Sequence, residues 1–223
     1  VTGDPRVVLV PGTLCGAALW GGVAVPGRAH VLDMVRGRSL AEAAGRVLDA
    51  APVDERLHLV AFSLGAIVAF EVLRRAPERL ARLTLISANP HAPTPSQLET
   101  WAAQEGRVRA GHFGEVVRAI ADTAGPHRQK VLDMARRVGP EVYLEQLALL
   151  RSRPDSRGDV ARFTGPLTLL VGGEDRVTPP HLAAELHALV PHAAIRVVPG
   201  AGHYLPLDAP GAISDALNAV AHA

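Results

Sequence analysis

Leu57-His58-Leu59-Val60-Ala61-Phe62-Ser63-Leu64-Gly65-Ala66-Ile67-Val68-Ala69-Phe70-Glu71-Val72-Leu73-Arg74-Arg75-Ala76 is the stretch whose reading decides the fold. Residues 57–62 form a short apolar run with the length and composition of a buried strand. Gly65 to Ala76 continues as a helix that offers Ile67, Phe70, Val72 and Leu73 for burial. Ser63 stands at the junction. A serine between strand and helix takes a strained backbone, which persists only if its neighbours leave room. Ala61 and Gly65, two residues to either side, are small. An ordinary strand-to-helix turn that happens to hold a serine has the same local pattern, so the stretch must be weighed with the rest of the chain.

Outward from this junction the chain alternates strand and helix. Arg6 to Val10 reads as a first buried strand and runs into Pro11-Gly12-Thr13-Leu14-Cys15-Gly16, a turn that lets backbone approach a ligand closely. Leu19 and Trp20 anchor a short helix, and Ala29 to Leu32 is a weaker strand. Ser39 caps a helix through Ala50, with Leu40, Ala43, Ala44, Val47 and Leu48 inward. The helix after Ser63 ends near Pro77, and Arg82 to Ile86 is the next strand. Such alternation predicts a parallel sheet covered on both faces.

From Asn89 to about Phe163 the rhythm changes. Helical patterns at Gln97 to Val108, Gly114 to Asp122, Arg128 to Val138 and Glu141 to Arg151 follow one another with no strand between them. The sheet resumes at Leu167 to Val171, followed by a helix at Pro180 to Leu189, a strand at Ala194 to Val198 and a last helix from Pro210. The expected organisation is a core of residues 1–88 and 164–223 with a helical insertion at 89–163.

Composition narrows the function classes. The chain has 223 residues, 48% of them hydrophobic, with a formal net charge of +1. That suits one folded domain with an insertion and argues against disorder, a nucleic-acid surface or a charged substrate funnel. All basic residues but Lys130 are arginine. Arg74-Arg75 and Arg136-Arg137 read as solvated helix faces. Cys15 is the only cysteine, so no intrachain disulfide forms. The longest apolar run, Leu59 to Phe70, is too short to span a bilayer. Val1 to Pro5 lacks the features of a signal peptide, and a cytoplasmic protein is expected.

Two further loops carry chemistry. Gly172-Gly173-Glu174-Asp175-Arg176-Val177-Thr178-Pro179 follows the 167–171 strand and offers two acids, Asp175 and Glu174, or a plain exposed turn. Pro199-Gly200-Ala201-Gly202-His203-Tyr204 follows the last strand and carries His203 on a glycine-rich loop. Other motifs fail: neither Gly200-Ala201-Gly202 nor Gly12 to Gly16 completes a nucleotide-binding loop, and no two histidines stand three or four apart as a helical metal pair would. No cofactor or metal is expected. Cys15 lies on no strand-to-helix turn and is expected to line or underlie the 11–16 loop.

Together Ala61-Phe62-Ser63-Leu64-Gly65, the Gly172 to Pro179 loop and the Gly200 to Tyr204 loop resemble the nucleophile elbow, acid loop and histidine loop of α/β-hydrolases, in the same chain order. The likeness covers nearly the whole chain, including Pro11 to Cys15 and Pro77-Glu78-Arg79-Leu80, and is to lidded bacterial serine esterases. Alanine replaces the first elbow glycine, Pro11 stands where many relatives carry histidine, and the sheet begins at the strand that is usually third.

The resemblance implies an α/β-hydrolase fold: a mostly parallel sheet of about six strands with helices on both faces and a helical cap at 89–163. It implies Ser63 as nucleophile, His203 as base and Asp175 as orienting acid, with Glu174 as runner-up. Leu64 N–H and Thr13 N–H would form the oxyanion hole, with Leu14 N–H as substitute for Thr13. The implied activity is hydrolysis of a small carboxylic ester through an acyl-enzyme. Thioesters and lactones are close variants. A same-fold carbon–carbon hydrolase, haloperoxidase or lyase, or a non-catalytic ligand binder, stays open.

A pocket beneath the cap is expected to draw on Trp101, Phe113, Val117, Tyr143, Leu147 and Leu150, with Leu14, Val177 and Tyr204 beside it; Leu14, Trp101, Tyr143, Leu147, Val177 and Tyr204 are the expected substrate contacts. Such a lining favours a neutral acyl group. An inward turn of Arg107, Arg109 or Arg151 would instead favour an anionic one.

Overall fold

The computed structural model describes residues 4–221; Val1 to Gly3, read above for a leader, lie outside them. In chain order the elements are β1 (Arg6–Val10), β2 (Ala29–Val31), α1 (Leu40–Leu48), β3 (Leu57–Phe62), α2 (Leu64–Arg75), β4 (Leu80–Ile86), α3 (Pro95–Arg109), α4 (Phe113–Ala121), α5 (Arg128–Ser152), α6 (Arg157–Val160), β5 (Leu167–Gly172), α7 (Pro180–Leu189), β6 (Ala194–Val198), α8 (Leu205–Asp208) and α9 (Pro210–Ala221). Short 3-10 turns occupy Ala17–Trp20, Pro77–Arg79 and Asp122–His127.

The strands form one six-stranded sheet in the order β2-β1-β3-β4-β5-β6, every neighbouring pair parallel. The central strand β3 is buried at all six positions, whereas β2 and β6 at the edges are largely exposed. The weak apolar content of Ala29 to Val31 therefore reflects its edge position. Because all strands run one way, their carboxyl ends share one edge. The loops after β1, β3, β4, β5 and β6 meet there, the place where open parallel sheets bind ligands.

The 89–163 segment is helical throughout its regular structure. Thr94 and Gln97 cap α3 reciprocally. Within α5 the two helices expected at Arg128–Val138 and Glu141–Arg151 are both present, separated at Gly139 (φ 76°, ψ 167°), whose backbone is not helical, just before Pro140. Arg74 does more than face solvent. Its Nη2 donates to Asp159 at 2.6 Å and to Ser156 Oγ at 3.1 Å, which ties α2 to α6. Leu48, expected inward on α1, is only half-buried. Among the described residues no helix is long and apolar enough to cross a membrane.

Candidate active site

Ser63 has φ 53° and ψ −113°, a left-handed conformation that costs a non-glycine residue of order 1–3 kcal/mol. It fixes the sharp turn from β3 into α2. The Ser63 side chain makes no capping bond to its own helix, so its hydroxyl is left for another partner. Gly65 lets the helix start this close to the sheet. A Cβ there would stand 2.3 Å from the Val10 carbonyl oxygen.

The acid and histidine loops are stitched together in the same manner. Gly173 N–H donates to Val198 O at 2.8 Å and Glu174 N–H to Ala201 O at 2.9 Å. A Cβ on Gly172 would lie 2.3 Å from both Ala201 O and Gly202 O, so only glycine permits the contact.

This apposition brings three side chains into one chain of hydrogen bonds. His203 Nδ1 lies 2.9 Å from Asp175 Oδ2 and 3.1 Å from Oδ1. A carboxylate only accepts, so Nδ1 carries the proton and Nε2 is the acceptor facing Ser63 Oγ at 3.2 Å. Asp175 also accepts from Val177 N–H, Thr178 N–H and the Thr178 hydroxyl, at 2.9, 2.8 and 2.7 Å. Burial alone would raise its pKa. The hydrogen bond and charge of His203, with the Thr178 donors, outweigh burial and hold Asp175 down at about 2. Glu174 is exposed and has no contact with His203.

In the loop after β1 the amides of Thr13 and Leu14 differ in their partners. Leu14 N–H donates to Gln146 Oε1 at 2.9 Å, so it is already engaged. Among the described residues, Thr13 N–H and Leu64 N–H have no acceptor. Cys15 beneath this loop is buried, which pushes its thiol up to about 12. Such a thiol supplies little thiolate at neutral pH.

A cavity of about 470 Å³ opens over Ser63 and His203, between the sheet edge and α3, α4 and α5. Leu14, Trp101, Tyr143, Leu147, Val177 and Tyr204 all line it. Leu150 does too, whereas Phe113 and Val117 do not; Phe113 packs instead against the Tyr143 ring at 5.9 Å. The lining surface is mostly apolar, as expected, with polar side chains interspersed. Gln97, Thr100, Trp101 and Gln104 form one face of α3 and present mostly polar groups.

The three arginines expected as candidates for an inward turn point elsewhere. Arg107 pairs with Glu115 at 2.5 Å, Arg109 with Glu105 at 2.7 Å, and Arg151 also with Glu105. Arg153, just past the end of α5, lines the cavity in their place. The sequence reading also missed a pattern of strain. The non-glycine residues with positive φ among those described are Leu14, Ser63 and Ser87, and all three line this cavity.

Known proteins agree with this architecture. A sequence model described as "Alpha/beta hydrolase family" matches residues 7–216. A pimeloyl-[acyl-carrier protein] methyl ester esterase of Methylococcus capsulatus is 29% identical over 212 residues, which is 83% of this chain and 82% of that protein. An esterase of Mycobacterium tuberculosis is 27% identical over 249 residues, covering 97% of this chain and 82% of its own length. Among solved structures, a thermophilic esterase from Thermogutta terrifontis superposes with a TM-score of 0.82. Its sequence identity is 22%, over 97% of this chain and 89% of that one.

Proposed function

Because the chain belongs to the alpha/beta hydrolase family, we propose that it is a hydrolase of carboxylic esters that works through an acyl-enzyme on Ser63. The observation that carries this reading is the continuous contact from Ser63 Oγ through His203 to Asp175, opening on a cavity. The esterase names of the similar curated proteins support the same reaction class.

Each residue type has a physical role. A neutral serine is a weak nucleophile, so His203 Nε2 takes the hydroxyl proton as Oγ attacks the ester carbonyl carbon. Asp175 keeps the other ring nitrogen protonated and stabilises the imidazolium that forms. The carbonyl oxygen becomes an oxyanion, for which the unengaged Thr13 and Leu64 amides are the donors, helped by the N-terminus of α2. Collapse of this intermediate breaks the bond to the alcohol, which leaves with the proton from His203. Water then repeats the sequence on the acyl-enzyme and frees the acid.

Residues 89–163 act as a cap. Trp101 on α3 and Tyr143, Leu147 and Leu150 on one face of α5 contribute to the wall above the serine. Two polar contacts join the cap to the core at the site. Gln146 holds Leu14, and His127 Nε2 lies 2.9 Å from Asp208 Oδ1, whose Oδ2 accepts from Gly202 N–H beside His203.

The test is turnover of short and medium p-nitrophenyl esters. Wild type is expected to hydrolyse them and Ser63→Ala to fall to background while keeping its melting temperature. A folded wild type that turns over no ester, thioester or lactone would favour a ligand binder of the same fold.

A further inference from the structure

Arg153 is the one buried arginine among the described residues, 5% exposed. A buried cation is stable only when its charge is answered, and the usual answer is a carboxylate. None is provided. Nε donates to the His91 carbonyl and Nη2 to Gln97 Oε1, both at 2.8 Å, while the guanidinium carbon lies 5.2 Å from the Trp101 ring centroid. These partners are neutral and leave Nη1 without an acceptor. The cavity that Arg153 lines with Ser63 and His203 has no Asp or Glu in its wall. Burial without a counter-charge pushes Arg153 down to about 10, still cationic at neutral pH. The other arginines of α3 and α5 that the sequence suggested for this role are spent on glutamates outside the cavity.

From this unanswered cation in the wall of the serine cavity, we propose that Arg153 is an anion-binding residue. It receives the carboxylate of an ester substrate whose other carboxyl is the scissile ester. This deepens the esterase reading and rests on it. The substrate class is the half-ester of a dicarboxylic acid, and the product is the dicarboxylate. A planar guanidinium already fixed through Nε and Nη2 and stacked near Trp101 loses little further freedom on meeting a carboxylate. Gln97, Thr100 and Gln104 along the same wall offer neutral polar groups, so no fixed negative charge opposes the ligand.

The test compares methyl half-esters of linear four- to eight-carbon diacids with the dimethyl esters of the same acids. The two differ mainly in charge. Wild type is expected to prefer the half-ester at one chain length. In Arg153→Met the half-ester to diester ratio of kcat/KM should fall about 10- to 100-fold, the range of a charge-assisted hydrogen bond. In Arg153→Lys, which keeps charge but loses the planar fork, the ratio should fall less. A ratio unchanged in Arg153→Met, or a wild type that prefers diesters at every length, overturns the proposal.

A second measurement is independent of turnover. Calorimetric titration of adipate into Ser63→Ala is expected to show binding that Arg153→Met, added to the same protein, weakens by a similar factor. Binding of inorganic phosphate in preference to every diacid of the series would overturn the carboxylate assignment. If diacids bind through Arg153 but no ester is hydrolysed by wild type, the subsite stands and the esterase reading fails. If diesters are hydrolysed and diacids do not bind, the reverse holds.

Discussion

Leu14 N–H donates to Gln146 Oε1 at 2.9 Å, across 132 residues of sequence. The same Gln146 side chain donates through Nε2 to the Val35 carbonyl at 2.9 Å and is fully buried. One amide on α5 thus holds the loop that carries Thr13 and the chain that follows β2. Leu14 itself is strained at φ 56°, so the loop needs such a tether to keep its shape.

Gln146→Leu removes both hydrogen bonds and leaves the Leu14 amide buried and unpaired. The expected loss of stability is about 1–3 kcal/mol. Activity should fall mainly in kcat, because a displaced Thr13 amide harms the oxyanion more than the bound ester. Urea denaturation and steady-state kinetics on a neutral ester test this. A variant whose KM rises while kcat is unchanged would argue that Gln146 only shapes the pocket.

Asp175→Asn is expected to fold and to lose about 10⁴-fold in kcat. An amide cannot enforce the tautomer that the carboxylate demands of His203. Glu174→Gln should stay near wild type, since Glu174 is exposed and away from the ring. Kinetics on both variants decide the assignment, and a loss in Glu174→Gln alone would move the acid by one residue.

His58 gives the fold a sensitivity to acid. It is buried in β3 with Nε2 2.8 Å from Thr84 Oγ1, and burial, aided by the charge of Arg82, pushes it down to about 4. The unfolded chain protonates this ring near pH 6.5. The neutral buried ring therefore contributes stability that is complete above about pH 6.5 and is lost as the pH falls toward 4. The shift corresponds to about 3 kcal/mol over that window. His58→Gln keeps a polar end for Thr84 without titrating, so its stability should fall less between pH 7.5 and 4.5. Urea curves at the two pH values measure the difference, and parallel losses in both proteins would refute it.

Much of the sheet was legible because buried parallel strands write themselves as apolar runs. Arg6–Val10 and Leu57–Phe62 have the expected bounds, and Pro180 opens α7 where the sequence marks it. α6 and α8, at four residues each, are too short to show a period. The strained Leu14 and Ser87 carry no glycine to advertise a positive φ.

The two candidate site residues that sequence reading missed follow the same logic. Gln146 lies on a mostly apolar helix face, where a lone amide gives no sign of its partners. Arg153 follows α5 at φ −62° and ψ 129°. There the chain has left the helix, and helical spacing from Arg151 no longer tells which way a side chain turns.

The most direct test of the account is the reaction of the native protein with a fluorophosphonate, read by intact mass and peptide mapping. Wild type is expected to gain one adduct, on Ser63, and to lose esterase activity in step with labelling. His203→Ala should label far more slowly, because the serine then has no base. A folded protein that takes no adduct, or that is labelled and inactivated at a residue other than Ser63, would contradict the central claim.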